Sequence, residues 1–286
     1  MDWNELAAAI SAATGTGFLL ARTEPVSGGC IHQAHVLHAQ DGRQVFVKSN
    51  RLAHRDAFAC EAEGLKAIAG TGTIRVPTPL LEDAIGQDAF LVMEYIVFDR
   101  NPSDWALMGQ QLAALHRHTA PTFGWHRDNW IGASPQLNHC QTNWMDFFRD
   151  GRLAPQFKLA ADNGLPLRDA QKLLHHLPHL LGEHAPAPSL IHGDLWAGNV
   201  AFSAGLPVLF DPAVHFADRE CDLAMARLFG GFPEAFFEAY KASWPLPPGA
   251  AHRRPLYQLY HILNHANLFG GSYVHDANHL IQTLLC

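Results

Sequence analysis

The sequence has no apolar run long enough to cross a bilayer, and it carries little charge. Only 16% of its 286 residues are Asp, Glu, Lys or Arg, and the net charge is −7. A nucleic-acid or anionic-membrane partner would favour a basic face, so we expect neither partner. Apolar residues make up 48% of the chain, which is typical of a folded globular protein.

Cysteines are few and lack the paired spacing of a disulfide framework or a metal site. The five lie at positions 30, 60, 140, 221 and 286. The nineteen histidines are scattered and show no zinc-protease pattern. The acidic start Met1-Asp2-Trp3-Asn4-Glu5 is unlike a secretion signal. We therefore expect reduced thiols and a cytoplasmic protein.

What the sequence does contain is the run His192-Gly193-Asp194-Leu195-Trp196-Ala197-Gly198-Asn199. Its spacing is that of a kinase catalytic loop, in which the aspartate accepts the proton of the attacking hydroxyl and the asparagine holds magnesium. The spacing predicts Asp194 as the catalytic base and Asn199 as a metal ligand. A small hairpin over residues 200–210 leads to Asp211, the second predicted ligand. Taken alone, the three motif residues have ordinary alternatives: His192 as a core histidine, Asp194 as a turn former and Asn199 as a helix cap.

The upstream half contains a pattern typical of phosphate binding. Predicted strands over residues 18–26 and 31–38 flank Gly28-Gly29-Cys30, and a third strand ends at Lys48. Glycines let backbone N–H groups approach phosphates without Cβ clashes. Lys48 is predicted to contact the α- and β-phosphates and to pair with a glutamate on the next helix. A plain hairpin turn and a solvated lysine are the alternatives.

The next predicted helix, residues 55–69, offers Glu61 and Glu63 as partners of that lysine. The two glutamates lie about 200° apart around a helix, so only one can point inward. Glu61 shares the apolar face of Phe58 and Leu65 and is the predicted partner. We expect Glu63 to be solvated.

A predicted hinge for the adenine base follows the helix. Two strands, over residues 80–82 and 90–95, lead to Glu94, Tyr95 and Ile96, whose backbone groups are predicted to hydrogen-bond adenine. Together with Gly28, Gly29, Cys30, Lys48 and Glu61, they form the predicted ATP site. The predicted cofactors are ATP and Mg²⁺.

Taken in order, these parts resemble the fructosamine kinase (ketosamine-3-kinase) family, within the protein-kinase-like and aminoglycoside-phosphotransferase-like group. The resemblance implies an α+β, bilobed protein-kinase-like fold. Its small antiparallel-sheet N-lobe with one key helix would span residues 1–97, and its larger helical C-lobe residues 98–286. Ser27 departs from the family, because a third glycine is expected there. The resembling runs are Gly28-Gly29-Cys30-Ile31, Phe46-Val47-Lys48, Phe58-x-x-Glu61, Val76-Pro77-x-Pro79, Leu91-Val92-Met93-Glu94-Tyr95, Phe123-Gly124-Trp125, Asp128-Asn129-Trp130-Ile131-Gly132, residues 192–199, residues 218–225, Leu259-Tyr260-His261 and Gly270-Gly271-Ser272-Tyr273.

Downstream of the hinge the pattern is helical, with Ser103 as a candidate cap of the first helix. Asp222 resembles the buried kinase aspartate that braces the catalytic-loop backbone. Asp218 and Glu220 either contact substrate or are solvated, and the sequence does not decide between the two. The predicted helices cover residues 103–118, 143–162, 166–181, 219–229, 233–242, 255–269 and 274–285.

The acceptor is expected beside Asp194. His261, Asn264 and His265 recur at i, i+3 and i+4 as one polar stripe on an apolar helix. Such amide and imidazole groups bind hydroxyl-rich substrates. Candidate stacking platforms for a sugar ring are Trp125, Trp130 and Trp196. Helix-packing hydrogen bonds and core aromatics remain the alternative interpretation.

The resemblance implies transfer of the γ-phosphoryl group to the 3-hydroxyl of a ketosamine, free or protein-bound, in deglycation repair. A same-fold kinase for an aminoglycoside, choline or homoserine is one alternative, and a nucleotide-binding pseudokinase is another. In the family, a cysteine matching Cys30 is associated with redox control through an intersubunit disulfide. We therefore expect a monomer or a redox-dependent homodimer, linked through Cys30.

Overall fold

The computed structural model describes residues 1–26, 32–101 and 104–286. They form two compact units, Met1–Ser103 with Ala201–Asp211, and Asp104–Val200 with Pro212–Cys286. The first contains an antiparallel sheet and the second is mostly helical, so the predicted α+β class is confirmed. The predicted phosphate loop, Gly28-Gly29-Cys30, lies outside the described residues.

The first unit contains a five-stranded antiparallel sheet in the order β1-β2-β3-β5-β4. Along β3, Val45 and Val47 point to one face and Lys48 to the other, because successive side chains alternate. The valines pack with Leu6 and Ile10 of the first helix in an apolar core. The strands are β1 (Leu20–Val26), β2 (Gln33–Ala39), β3 (Gln44–Arg51), β4 (Pro79–Ile85) and β5 (Asp88–Glu94), with helices α1 (Trp3–Thr14) and α2 (Arg55–Gly70).

Residues 201–211 of this unit complete a small hairpin, as the sequence predicts. It consists of β9 (Val200–Ser203) and β10 (Leu206–Leu209). The Asp99 carboxylate accepts hydrogen bonds from the N–H groups of Ala204 (3.1 Å) and Gly205 (2.9 Å) at the turn. The Leu209 N–H donates to the Arg75 carbonyl at 2.9 Å. These bonds fix the hairpin, and with it the residue that ends the unit, Asp211.

The second unit packs its helices around a core that includes Phe147, Leu173, Leu256 and Ile281. Two short antiparallel strand pairs join the helices. The helices are α3 (Trp105–His116), α4 (Trp144–Phe148), α5 (Ala154–Asp162), α6 (Ala170–Leu181), α7 (Glu220–Leu228), α8 (Glu234–Ser243), α9 (Ala250–Phe269) and α10 (Ser272–Leu285). The strands are β6 (Asn129–Ile131), β7 (Ser134–Gln136), β8 (Ser189–Ile191) and β11 (His215–Ala217).

Two helix predictions are wrong in detail. The predicted helix over residues 143–162 is divided by a π-helical turn, Arg149–Leu153. Pro155 lacks an N–H and cannot continue an α-helical ladder, so α5 starts around it. Helix α9 begins at Ala250 rather than at Pro255, because its first turns tolerate an internal proline.

Helix α3 is capped by Asp104. Its carboxylate accepts a hydrogen bond from the Leu107 N–H at 2.8 Å, the usual reach of an N-cap side chain. The predicted cap, Ser103, lies outside the described residues.

Candidate active site

In the first unit, Lys48 joins two carboxylates. Its Nζ donates to Glu61 Oε1 at 2.6 Å and to Asp211 Oδ1. Only 8% of Lys48 is exposed. The structure therefore brings together three of the predicted site residues, one each from β3, α2 and the end of the β9–β10 hairpin.

The electrostatics of this cluster favour a charged lysine. Burial alone would lower the pKa of Lys48, but the charges of Asp211 and Glu61 outweigh it, and the pKa is raised. Burial raises the pKa of Glu61 to about 7, against the attraction of Lys48. The Asp211 side chain is 43% exposed, so one of the two carboxylates remains open to a second cation.

Asp211 has an uncommon backbone conformation. Its φ is +56°, in the left-handed region that few residues other than glycine adopt. Such conformations persist where the surrounding structure imposes them, and they are concentrated at functional sites. The hydrogen bonds that hold the hairpin provide that constraint.

The predicted hinge lies at the end of β5. The Glu94 side chain accepts hydrogen bonds from Arg75 Nη2 at 2.7 Å and from Thr78 Oγ1 at 3.3 Å. Its backbone N–H donates to the Thr78 carbonyl at 2.8 Å. Tyr95 and Ile96 follow directly. The Glu94 side chain is thus part of the strand framework, and its predicted contact with adenine through the backbone stays a prediction.

In the second unit, Asp222 holds the backbone that precedes Asp194. Its Oδ2 accepts from the His192 N–H at 2.7 Å and its Oδ1 from the Gly193 N–H at 2.9 Å. His116 Nε2 lies 3.1 Å from Oδ2. Burial opposes ionisation, but the His116 contact and the surrounding groups lower the pKa of Asp222. Asp222 therefore braces the loop as a buried anion, as the sequence predicts.

Asp194 and Asn199 contact each other within this loop. Asn199 Nδ2 donates to the Asp194 carbonyl at 2.9 Å and to its Oδ2 at 3.3 Å. A 3₁₀ turn over Ala197–Asn199 places the amide there. These two hydrogen bonds orient the Asn199 amide, and its role as a metal ligand stays a prediction.

The predicted acceptor residues lie mostly in packed surroundings. Asn264 is buried, and its Oδ1 accepts from Gln156 Nε2 at 3.3 Å. His265 Nδ1 lies 2.8 Å from the His261 carbonyl. Trp196 is 42% exposed, whereas Trp125 and Trp130 are half-buried. These contacts are compatible with both interpretations of the stripe, so its substrate role stays a prediction.

Sequence reasoning missed an aromatic cluster around His265. The rings of Phe229 and Tyr273 have centroids 4.9 and 5.1 Å from the His265 ring. Phe269, at 5.7 Å, is 56% exposed. A Cβ on Gly231 would lie 2.5 Å from the Ala197 Cβ, so the segment after Phe229 packs against the predicted catalytic loop. The Phe-Gly-Gly triplets at residues 229–231 and 269–271 are the signal that could have revealed it.

The sequence left Asp218 and Glu220 undecided between substrate contact and solvation. Both are buried, with 1% and 4% exposure, so the solvated alternative is wrong. Asp218 Oδ2 accepts from His184 Nε2 at 2.6 Å and from Tyr257 OH at 2.7 Å. Both Glu220 oxygens accept from Arg253, at 3.0 and 2.6 Å.

Comparisons with known proteins show the family of this chain. Residues 2–286 match the profile described as fructosamine kinase. The chain is 45% identical over 287 residues to a "Probable ketoamine kinase" of Synechocystis, covering 99% of this chain and 97% of that protein. It is 36% identical to the "Probable ketoamine kinase YniA" of Escherichia coli over 288 residues, covering 99% of each chain.

A solved structure agrees as well. The crystal structure described as "Putative fructosamine-3-kinase" from Haemophilus somnus superposes with a TM-score of 0.94 at 28% identity, covering 99% of this chain and 98% of that chain. This chain belongs to the fructosamine kinase family.

Membership confirms the sequence resemblance and makes this protein an ATP-dependent phosphotransferase. Its fold extends to more distant kinases. An aminoglycoside phosphotransferase in complex with ADP and hygromycin B superposes with a TM-score of 0.64 at 15% identity, covering 98% of each chain, which shows the fold alone. The predicted protein-kinase-like fold is therefore confirmed. Among the described residues, no helix combines the length and apolar character needed to cross a membrane.

The predicted catalytic loop of this kinase depends on a glycine. Gly193 has φ +84°, and an added Cβ would lie 2.1 Å from the Ala213 carbonyl oxygen. Gly193→Ala should therefore cost about 3 kcal/mol or more of unfolding free energy, from backbone strain and the clash together. In the matched control Gly164→Ala, φ is +68° with open space around the Cβ, and strain alone should cost about 1–2 kcal/mol. Equal losses in urea unfolding of the two variants would contradict the clash.

The stability of this kinase should depend on pH through His261. Burial first, and then the charge of His265, lower the pKa of His261 from 6.5 to about 3. Below pH 6.5 the unfolded chain takes up a proton that the folded chain does not, so stability falls with falling pH. This histidine alone should remove about 2 kcal/mol between pH 7 and pH 5. Urea unfolding at both pH values should show a smaller loss in His261→Phe than in the exposed control His279→Phe. Equal losses would rule out His261 as the cause.

Proposed function

We propose that this fructosamine kinase transfers the γ-phosphoryl group of ATP to the 3-hydroxyl of a ketosamine, a fructosamine or a ribulosamine, and thereby serves deglycation repair. Family membership supports the ketosamine. The observation that carries the reaction is the Asp194–Asn199 hydrogen bond, held on a backbone that Asp222 braces. A short loop arranged in this way can direct the Asp194 carboxylate at the acceptor hydroxyl and the Asn199 amide at a metal ion.

The residues present fit a magnesium–nucleotide complex. Mg²⁺ prefers oxygen ligands, and Asn199 Oδ1 and the Asp211 carboxylate are the proposed pair. Bound magnesium would neutralise charge on the phosphates. Lys48, which stays charged beside Glu61, is proposed to bind the α- and β-phosphates. Gly28, Gly29, Cys30 and the backbone of Glu94, Tyr95 and Ile96 are proposed to complete the ATP site.

Asp194 is the proposed base. The half-buried carboxylate would orient the acceptor hydroxyl and take its proton as the oxygen attacks the γ-phosphorus. Asn199 Nδ2 restrains Oδ2 and limits the rotation of that carboxylate. The proton therefore passes to a carboxylate whose position is already fixed. Such positioning of the reacting groups accounts for much of the rate enhancement in phosphoryl transfer.

A neutral, hydroxyl-rich acceptor fits better than a cation. A site for a cationic aminoglycoside or for choline would favour free carboxylates around the acceptor. The carboxylates of Asp218 and Glu220 instead accept hydrogen bonds from buried side chains. What lies near the loop is aromatic and polar, including Trp196, His265 and the exposed Phe229. Such groups stack on and hydrogen-bond sugars, so the ketosamine is preferred over those alternatives. Trp125, Trp130, His261 and Asn264 remain proposed contributors.

The acceptor can be tested directly. We expect turnover of free fructosamines or ribulosamines and little of choline or aminoglycosides, followed as ADP release. Asn264→Ala and His265→Ala should raise the KM for the acceptor more than the KM for ATP. The exposed histidine His175, changed to alanine, should alter neither constant. Turnover of choline or an aminoglycoside without turnover of any ketosamine would refute the proposed substrate.

A further inference from the structure

The second unit contains an open cavity of about 780 Å³ that the proposed reaction does not use. Its walls come from the segment after α6 and the proline-rich segment after α8, and no residue of the loop 192–199 lines it. Its volume lies in the range of small-molecule sites, roughly 300–1,000 Å³. The lining residues that carry the argument are His184, Ala187, Asp218, Arg219, Trp244 and Arg253.

Arg219 is a nearly buried cation without a carboxylate partner among the described residues. It is 7% exposed. Its Nη1 donates to Tyr240 OH at 3.1 Å and to the Trp244 carbonyl at 3.0 Å, and its Nη2 donates to the Pro245 carbonyl at 2.6 Å. All three acceptors are neutral. A guanidinium has five N–H donors, so part of its hydrogen-bonding capacity is unused.

The neighbouring carboxylates of Asp218 and Glu220 make their hydrogen bonds to groups other than Arg219. Asp218 accepts from His184, from Tyr257 and from the Glu220 N–H, and it is 1% exposed. Both Glu220 oxygens are taken by Arg253. Glu183, at the edge of the cavity, is exposed, and its charge is screened by water. Both buried carboxylates are therefore satisfied by other groups, and Arg219 keeps N–H donors that no carboxylate accepts.

The remaining walls are apolar. The Trp244 ring stacks on the Arg219 guanidinium with its centroid 3.9 Å from Cζ. Pro186, Pro245, Pro247 and Pro248 also line the cavity. A ligand that suits both features carries an anionic group for Arg219 and an apolar body for the proline and tryptophan surface. Carboxylates and phosphates both match the planar donor fork of arginine.

Arg219 is also connected to the loop that carries Asp194. Tyr240 OH, which accepts from Arg219, lies 2.8 Å from His116 Nδ1. His116 Nε2 lies 3.1 Å from Asp222 Oδ2, the atom that accepts from the His192 N–H. Every member of this chain is buried. Displacement of Arg219 can thus reach the loop through consecutive hydrogen bonds.

We propose that the cavity binds a small organic anion with an apolar body, and that its occupancy alters the stability of the loop 192–199 through Arg219, Tyr240, His116 and Asp222. The anion pairs with Arg219 and changes the sharing of its donors with Tyr240. The two sites are then coupled, because the anion binds with different affinity to two states of the loop 192–199.

Binding is tested by calorimetry with benzoate and with phenyl phosphate, and benzyl alcohol is the neutral control. Saturating ADP keeps the phosphate probe from the nucleotide site. We expect at least one anion to bind and the alcohol to bind tenfold more weakly or not at all. Two variants should each weaken the anion at least tenfold: Arg219→Met, which removes the charge, and Ala187→Trp, which fills the cavity from an exposed position. Absence of anion binding, equal binding of the alcohol, or undiminished binding to Ala187→Trp would overturn the site.

Coupling is tested without an activity assay. Hydrogen exchange of the His192 and Gly193 amides should change severalfold when the bound anion is present. In Tyr240→Phe, which removes only the bridging hydroxyl, the anion should still bind while the exchange of these amides no longer responds. Unchanged exchange in the wild type, or an equal response in Tyr240→Phe, would overturn the coupling.

Discussion

Replacing Asp194 by asparagine is expected to lower kcat by about 10²–10⁴-fold, the usual contribution of a general base. Asparagine has nearly the same shape as aspartate, so the contact from Asn199 to this side chain can persist in altered form. Binding of ATP should change little, because the lost group acts on the hydroxyl. The measurement is steady-state kcat with a fructosamine, together with ATP affinity by calorimetry.

Asp162→Asn is the control for this change. Asp162 is an exposed aspartate paired with Lys158 on α5, so its substitution should leave kcat unaltered. A folded Asp194→Asn enzyme with near wild-type kcat would remove Asp194 from its proposed role.

Replacing Lys48 by methionine should lower kcat/KM for ATP by about 10²–10³-fold, as expected when one preorganised charge is removed from a phosphoryl-transfer site. Methionine retains much of the stem but cannot bridge Glu61 and Asp211. Burial already raises the pKa of Glu61 to about 7, so this carboxylate can take up a proton when its partner is lost. We therefore expect the chain to stay folded at neutral pH, and the loss to be one of catalysis.

The matched control is Lys66→Met on α2. Lys66 is exposed and lies 3.8 Å from Glu82, a surface pair whose loss should change activity little. Circular dichroism establishes that both variants fold. If Lys48→Met and Lys66→Met retained similar kcat/KM for ATP, the Lys48 cluster would have no part in nucleotide binding.

The pairing of Lys48 with Glu61 could be predicted from the sequence because its signals are local. Residue periodicity predicts Glu61 on the apolar face of α2, and the kinase pattern predicts that Lys48, at the end of an apolar strand, pairs with a glutamate of the next helix. The contact of Asp222 with the catalytic-loop backbone could be predicted in a different way, because the residues around Asp222 resemble those of kinases. In both cases a short segment contains the information.

The buried network around Asp218 could not be predicted in this way. Its members come from three segments far apart in the sequence, which carry His184, the pair Asp218 and Glu220, and Tyr257. A carboxylate that is solvated and one that is satisfied by distant donors look alike in the sequence. The sequence does not predict the cavity beside Arg219 for the same reason, since tertiary packing alone brings the segments after α6 and α8 to it.

Helix boundaries were missed where proline is the main signal. The sequence predicts a helix that starts at Pro255, but α9 begins five residues earlier, at Ala250. A proline beyond the first turn removes one backbone hydrogen bond and costs about 3 kcal/mol. The burial of Tyr257, Leu259 and Leu263 on α9 offsets this cost. Tertiary contacts decided where this helix begins.

The most direct test of the proposed function is to identify the atom that receives the phosphate. Purified enzyme, ATP, Mg²⁺ and a free fructosamine are incubated, and the product is examined by ³¹P and ¹H NMR. We predict one phosphate monoester on the sugar 3-hydroxyl for each ADP formed, and none with Asp194→Asn. ADP formation with release of inorganic phosphate alone, or a phosphate on another position of the acceptor, would contradict the account.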